Sequence, residues 1–338
     1  GSEMCIRDSK ESEKNPILID KFIDNAMEID VDAISDGNEV YVAGIMQHIE
    51  EAGIHSGDSA CCLPPISIKS KLIDELKRQT KKLALSLKVR GFLNIQFAIK
   101  NDEIFVIEVN PRASRTVPFV SKANGIPLAK IASKVMAGDK LSKYNLKYKT
   151  NKTYAVKEAV FPFNKFPNVD VLLGPEMKST GEVMGFDKDF GLAYAKSQIA
   201  ASNSLPTKGM AFLSVKNSHK IEVIDLAKKL LKLNFTLSGT KGTAEVLKKN
   251  GMKCKKINKV SSGKPHIVDV LNGNKISLVI NTGGGDSESR IDDAKALRRA
   301  TLVNKVPYCT NMSTAHACIN AIDSLKKKSI EVNSLQDN

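Results

Sequence analysis

Apolar and polar residues alternate along 28–34, break at Ser35-Asp36-Gly37-Asn38, and alternate again along 39–45. That pattern predicts two antiparallel strands joined by a turn. Leu72, Ile73, Leu76, Leu83, Leu85 and Leu87 mark an amphipathic helix over about 68–88. Strands follow at 94–100 and 103–110, joined by the tight-turn pair Asn101-Asp102, and a helix at 127–136. Antiparallel strands with segregated helices indicate an α+β domain. After residue 210 the rhythm changes. Strands at 211–215, 235–238, 254–257, 276–281 and 306–310 alternate with helices at 220–233, 243–250, 291–304 and 314–326. Such alternation predicts an α/β doubly wound parallel sheet. The small, polar stretch 200–209, broken by Pro206 and Gly209, reads as the linker, giving domains at 10–202 and 203–338. Residues 1–9 fit neither helix nor strand and read as a foreign stretch or assembly scar.

The hairpin carries the first candidate chemistry. Side chains two apart on a strand share a face, so Glu108 and Asn110 point the same way. Folding back at Asn101-Asp102 brings Gln96 roughly opposite Glu108, with Arg112 and Arg115 just beyond. Hard divalent cations carrying triphosphates take oxygen ligands and neighbouring positive charge. On patterning alone, the plainer reading is favoured: the polar outer face of a hairpin.

Charge adds a second candidate. Residues 1–202 hold 28 Lys and Arg against 26 Asp and Glu, a net of +2; residues 203–338 hold 23 against 11, a net of +12. A basic domain binds nucleic acid, a membrane surface or a small phosphorylated ligand, unless its lysines are simply solvated. Aromatic residues for base stacking are not interleaved there, which points to a nucleotide rather than a nucleic acid. The loops 238–243 and 281–285 leave strands at their carboxyl ends. Gly242-Thr243 opens a helix whose free N–H groups face outward; Thr240 and Thr243 add hydroxyls, and Lys220 and Lys259 add charge. Strand-to-helix turns also require Gly and Thr for purely structural reasons. No apolar run approaches the roughly 18 residues of a membrane span. The six cysteines include no C-x-x-C pair and the histidines lie far from paired cysteines, so a reduced, cytoplasmic setting without structural zinc is expected.

Longer stretches carry a resemblance. Glu28-Ile29-Asp30-Val31-Asp32-Ala33, the run from Gln47 through His55-Ser56-Gly57-Asp58 to Ala60, Asn94-Ile95-Gln96-Phe97-Ala98, Glu108-Val109-Asn110-Pro111-Arg112 onward to Val120, and Leu173-Gly174-Pro175-Glu176-Met177 resemble the large subunit of carbamoyl-phosphate synthetase. The match runs in order from about Asn15 to the C-terminus. It implies that residues up to 202 are the C-terminal portion of an ATP-grasp module that phosphorylates carbamate, and that 203–338 are a methylglyoxal-synthase-like regulatory domain. It further implies Gln96, Glu108 and Asn110 as ligands of Mg²⁺ or Mn²⁺, and Lys21, Ile23, Glu28, Gly53, Ile54, His55 and Ser56 as ATP contacts together with Gln96 and Glu108. Arg112 and Arg115 would face the reacting phosphoryl group. Lys220, Thr240, Thr243, Lys259 and Asn281 would meet the phosphate of UMP or IMP, with Gly283 standing where a threonine is usual. Glu50, Asp58, Glu158, Tyr308 and Thr310 match ornithine-site positions. Cys309 replaces an acidic residue there, so ornithine activation is expected to be weak or absent.

Carbamoyl phosphate made by such an enzyme feeds pyrimidine and arginine biosynthesis. Expected partners are the glutaminase small subunit and the missing N-terminal part of the large subunit, and the family's potassium dependence is left open. The chain lacks the first synthetase half and the lobe that closes over ATP, so it is expected to be inactive alone. Two alternatives stand beside this: a free-standing nucleotide sensor in which only 203–338 works, and a different ATP-grasp ligase, such as a carboxylase or an amine ligase. The stretch Val117-Pro118-Phe119-Val120 and the second domain weigh against the latter.

Overall fold

The computed structural model describes residues 23, 26–148, 153–166, 170–282, 288–332 and 334–335. Residues 1–9, Lys21 and Gly283 lie outside them. The first half is built on an antiparallel sheet of order β5-β4-β1-β2-β3-β6-β7. Strand β1 (Met27–Asp36) sits between β2 (Val40–Glu51) and β4 (Arg90–Lys100), and β5 (Glu103–Asn110) forms the edge beyond β4. Strands β3 (Cys61–Leu63), β6 (Tyr154–Val160) and β7 (Gly181–Asp187) extend the other side.

The turns form for local reasons. Asp36 Oδ1 accepts from the N–H groups of Asn38 and Glu39, at 2.9 and 2.7 Å, closing the β1–β2 turn. Asn101 and Asp102 both take positive φ, 52° and 64°, as a two-residue hairpin with right-handed strand twist requires. β2 runs to Glu51, past the expected end at 45. Gln47, His48 and Glu50 interrupt the apolar alternation, yet they are strand residues, and Gln47, His48 Nε2 and Glu50 find hydrogen-bond partners inside the fold while the buried His48 Nδ1 has none.

Both faces of the central strands are covered. Helix α1 (Ser70–Ser86) lays Leu76 and Ala84 on Ile29, Val31, Ile45, Leu93, Ile95 and Phe97. On the opposite face, α2 (Val117–Asn124) and α3 (Leu128–Met136) pack Val117, Val120, Leu128 and Val135 against Ile34, Ala43, Met46 and Cys61. A Cβ on Gly44 would lie 2.8 Å from Val120, so only glycine lets α2 approach β2 this closely. Helix α4 (Phe190–Ala200) lies on β7 in the same way, with Gly185 against the Ala193 carbonyl.

The second half is a parallel sheet of order β10-β9-β8-β11-β12: Cys254–Lys256, Phe235–Gly239, Gly209–Ser214, Leu278–Asn281 and Tyr308–Cys309. Helices α5 (Glu222–Lys232), α6 (Lys241–Lys249) and α9 (Met312–Lys327) share one core with the strands. That core also takes in Ile49, Cys62, Val156 and Tyr194 of the first half. Helices α7 (Ile267–Asn272) and α8 (Glu288–Val303) cover the other face, with Leu271 and Leu297 against Phe212 and Val279. Strand order reverses between β8 and β11. In open sheets of this kind, the crevice beyond the strand carboxyl ends at such a reversal is where ligands bind.

Candidate functional site

On the β4–β5 hairpin, Gln96 stands opposite Glu108 and Asn94 opposite Asn110. A bulge after Gln96 follows these pairs, as bulges often do beside a site. Arg112 Nη2 donates to Asn110 Oδ1 at 3.2 Å. Among the described residues, the side chains of Gln96 and Glu108 make no hydrogen bond or ion pair. Glu108, Arg112 and Arg115 are exposed; Gln96 and Asn110 are half-buried. An amide oxygen and a carboxylate, uncommitted and adjacent, with a second amide oxygen and guanidinium groups beside them, fit a hard divalent cation and the phosphates it carries.

Behind this edge lies a buried polar row that the sequence reading did not single out. β1 carries Glu28, Asp30 and Asp32 at spacing two, so all three share the α2–α3 face. Asp30 pairs in register with Gln96, and Asp32 with Asn94. Asn94 Nδ2 donates to Asp32 at 2.9 Å, Ser114 Oγ at 2.7 Å and Thr116 Oγ1 at 2.6 Å. Burial dominates at Asp32 and pushes its pKa up to about 6 in spite of those donors. At Asp30 burial is outweighed by His48, whose Nε2 lies 2.9 Å away, and the pKa falls below the ordinary value. Burial opposes charge on His48 too, yet Cys61 and Asp30 raise its pKa well above the usual range. Spacing along the chain put His48 and Cys61 apart, but they are register partners across β2 and β3. Their ligating atoms and one oxygen of Asp30 lie within 4.8 Å of one another. Three carboxylates at strand spacing in an otherwise apolar strand were the available signal.

The loop after β2 is tied to this row. Burial raises the Glu28 pKa, and the Gly53 N–H, facing that carboxylate, opposes the rise. His55 N donates to Gly174 O at 2.8 Å, and His55 Nδ1 accepts from Gly57 N at 3.0 Å. Lys157, fully buried on β6, donates from Nζ to Ser56 O at 2.9 Å. Glu28, Gly53, Ile54, His55 and Ser56 are thereby gathered at one end of the sheet.

In the second half, a cavity of about 660 Å³ opens at the strand-order reversal, lined by Lys220, Thr240, Gly242, Lys259 and Asn281 among others. Lys220 Nζ donates to Thr243 Oγ1 at 2.5 Å, and Thr240 Oγ1 lies 3.5 Å from Thr243 Oγ1. Burial, helped by Lys259, lowers the Lys220 pKa. Two ammonium groups meet there beside the N-terminus of α6, an arrangement suited to an anion.

The five ornithine positions are contributed by β2, the loop after it, β6 and the end of β12. Glu158 is buried near the half-buried Glu50, and burial reinforced by Glu50 pushes the Glu158 pKa well above the ordinary range. Asp58 is committed to the N–H groups of Lys178 and Ser179, at 2.8 and 2.9 Å. The Tyr308 hydroxyl accepts at 3.1 Å from Asn281, which lines the cavity described above. Thr310 follows it at the end of β12, half-buried.

Family profiles match two segments: the carbamoyl-phosphate synthase L chain, ATP binding domain, over residues 2–144, and the MGS-like domain over 222–310. The chain is 49% identical over 96% of its length to the carbamoyl phosphate synthase large chain, C-terminal section, of Aquifex aeolicus (strain VF5), covering 64% of that protein. It is 51% identical to the large chain of Mesorhizobium japonicum (strain LMG 29417 / CECT 9101 / MAFF 303099) and 53% identical to that of Rhizobium meliloti (strain 1021). In both comparisons 96% of this chain is covered and 28% of the relative. The chain therefore spans only part of each of these relatives. With an ATP-grasp portion followed by an MGS-like domain, it belongs to the carbamoyl phosphate synthase large-chain family and corresponds to that family's C-terminal section.

Proposed function

We propose that this chain provides one wall of a site that phosphorylates carbamate with ATP, yielding carbamoyl phosphate and ADP, within a glutamine-hydrolysing synthase. One observation carries the reading: Gln96 and Glu108 face each other with uncommitted side chains, beside Asn110 and Arg112. Phosphoryl transfer of this kind needs alignment and charge neutralisation more than a general base. Gln96, Glu108 and Asn110 would hold Mg²⁺ or Mn²⁺, which when bound neutralises phosphate charge. Arg112 and Arg115 stabilise charge on the reacting group. Asp32, itself held by Ser114 and Thr116, fixes Asn94 on the hairpin, and Lys157 holds the Gly53–Ser56 loop against Glu28 for the nucleotide.

Residues 1–338 correspond to 28% of the full-length large chains compared above, so carbamoyl phosphate synthesis by this stretch alone is expected to be nil. The cavity around Lys220, Thr240, Thr243, Lys259 and Asn281 takes the phosphate of UMP or IMP, and the assembly works in the cytoplasm on the way to pyrimidines and arginine. Ornithine activates weakly or not at all, because Cys309 offers no charge for a cationic ligand. In the complete enzyme, Glu108→Gln is expected to abolish synthesis of carbamoyl phosphate from carbamate and ATP. Wild-type turnover by that variant would remove the metal assignment.

A further inference from the structure

Where the two halves share a core, Cys309 at the end of β12 and Cys318 in α9 stand in contact, with Cys309 Sγ donating to Cys318 Sγ at 3.5 Å. Both are buried, at 1% and 4% exposure. Tyr194 Oη of α4 lies 3.7 Å from the same Cys318 sulfur. The pair is asymmetric. The Cys309 bond lowers the Cys318 pKa against the effect of burial, whereas the same bond and burial raise that of Cys309 well above the ordinary thiol range. Cys309 Sγ and Tyr194 Oη both converge on the Cys318 sulfur, which favours the thiolate there and leaves Cys309 as the neighbour placed to resolve it. The other described cysteines lack such a partner. Cys61 and Cys62 are successive strand residues on opposite faces, and Cys254 stands apart on β10.

We propose that Cys309 and Cys318 are a reversible oxidation site that closes to an intramolecular disulfide when a small peroxide reaches it. The Cys318 thiolate attacks the peroxide oxygen, breaking the O–O bond and leaving Cys318 as a sulfenic acid, with water released after protonation. The Cys309 sulfur then attacks the Cys318 sulfur; the S–O bond breaks, a second water leaves, and the disulfide forms. Each cysteine loses one hydrogen, and hydrogen peroxide is reduced to two waters. Access comes through β12, an edge strand of two residues paired on one side only, through Val279 and Ile280. Sulfurs already in contact need to approach by only a further ~1.5 Å to reach bonding distance. Closure ties β12 to α9, and Tyr308, the residue before Cys309, bears the hydroxyl that holds Asn281.

Both cysteines fall in one tryptic peptide, residues 306–326. The test is to treat the full chain with hydrogen peroxide, alkylate remaining thiols, digest, and weigh that peptide before and after dithiothreitol. The expected product is an unalkylated peptide two hydrogens lighter than the dithiol, restored by reductant. In Cys309→Ser, the Cys318 sulfenic acid should persist and be trapped by dimedone, several-fold more than in the wild type. A wild-type peptide that stays fully alkylatable at peroxide doses that oxidise Cys61 or Cys254 would overturn the proposal. So would equal dimedone trapping at Cys318 in the two proteins.

Discussion

Asp32→Asn is expected to stabilise the protein, and by more as pH rises. The carboxylate is fully buried with a pKa of about 6 against an ordinary 3.8. At 1.36 kcal/mol per pH unit, that displacement means ionised Asp32 costs the folded state about 3 kcal/mol. The sign follows from proton binding. Between pH 4 and 6 the folded state holds a proton that the unfolded state has lost, so stability from this group falls as pH rises through that window. The cost is near zero at pH 3, about half developed at pH 5 and complete by pH 8. Asparagine keeps the pattern of bonds. Its Oδ1 accepts from Asn94 and Ser114, and its Nδ2 donates to Thr116 Oγ1, whose own proton turns to Ser114 Oγ, 2.7 Å away. Urea unfolding of wild type and variant at pH 5 and pH 8 measures the effect. The variant's advantage should grow by roughly 1–1.5 kcal/mol between those values. A variant less stable than wild type at pH 8, or an advantage that does not change with pH, would refute the reasoning. A buried carboxylate at such a cost, in register with Asn94 and next to the Gln96–Glu108 pair, is what a functional site held against stability looks like.

UMP is expected to raise the melting temperature of the chain, and Lys259→Ala to reduce that shift; no shift at millimolar UMP would count against the phosphate cavity. Arg298→Ala removes both hydrogen bonds to Asp170, at 2.5 and 2.7 Å, and should destabilise the chain by about 2–3 kcal/mol in urea unfolding. A loss under half a kilocalorie would show the pair to be an ordinary surface contact.

The hairpin was legible because a period of two and a turn pair together fix its register, and Gln96 does stand opposite Glu108. The parallel sheet was legible because its central strands β8 and β11 carry short apolar runs and helices alternate with the strands along the chain. Strands β3, β6 and β7 escaped for the opposite reason. β3 is three residues long, and β6 places Lys157 and Glu158 among its buried positions, where a propensity argument expects apolar side chains. The buried row escaped because a carboxylate's partners lie elsewhere in sequence. Asp32 is held by residues 62 to 84 positions away, so nothing local says whether it is a surface acid or a buried one. Helix α4 carries apolar residues nearly all round, buried against β7 on one side and α9 on the other, and so lacks the one-sided stripe by which helices are read.

Arg298 also bears on how the two candidate sites are joined. Asn281, in the lining of the second-half cavity, donates to the Tyr308 hydroxyl, and the Arg298 guanidinium lies near enough to that hydroxyl to favour its ionised form against burial. Arg298 holds Asp170 with both carboxylate oxygens engaged. The segment that Asp170 begins runs to Gly174, whose carbonyl receives the His55 N–H, and to Lys178 and Ser179, whose N–H groups bind Asp58. His55 and Asp58 bracket the loop gathered at Glu28. A series of contacts therefore runs from the Lys220–Asn281 cavity to the Gly53–Ser56 loop, crossing between the halves at the Arg298–Asp170 pair. Contiguity alone does not make coupling; a ligand at one end must favour one arrangement of this series over another. Arg298→Ala separates the cases in the complete enzyme, because it leaves Lys220, Thr240, Thr243 and Lys259 in place. If the series carries the signal, UMP should still bind the variant while its effect on ATP affinity shrinks; an undiminished effect would route the coupling through the shared apolar core of α4 and α9 instead.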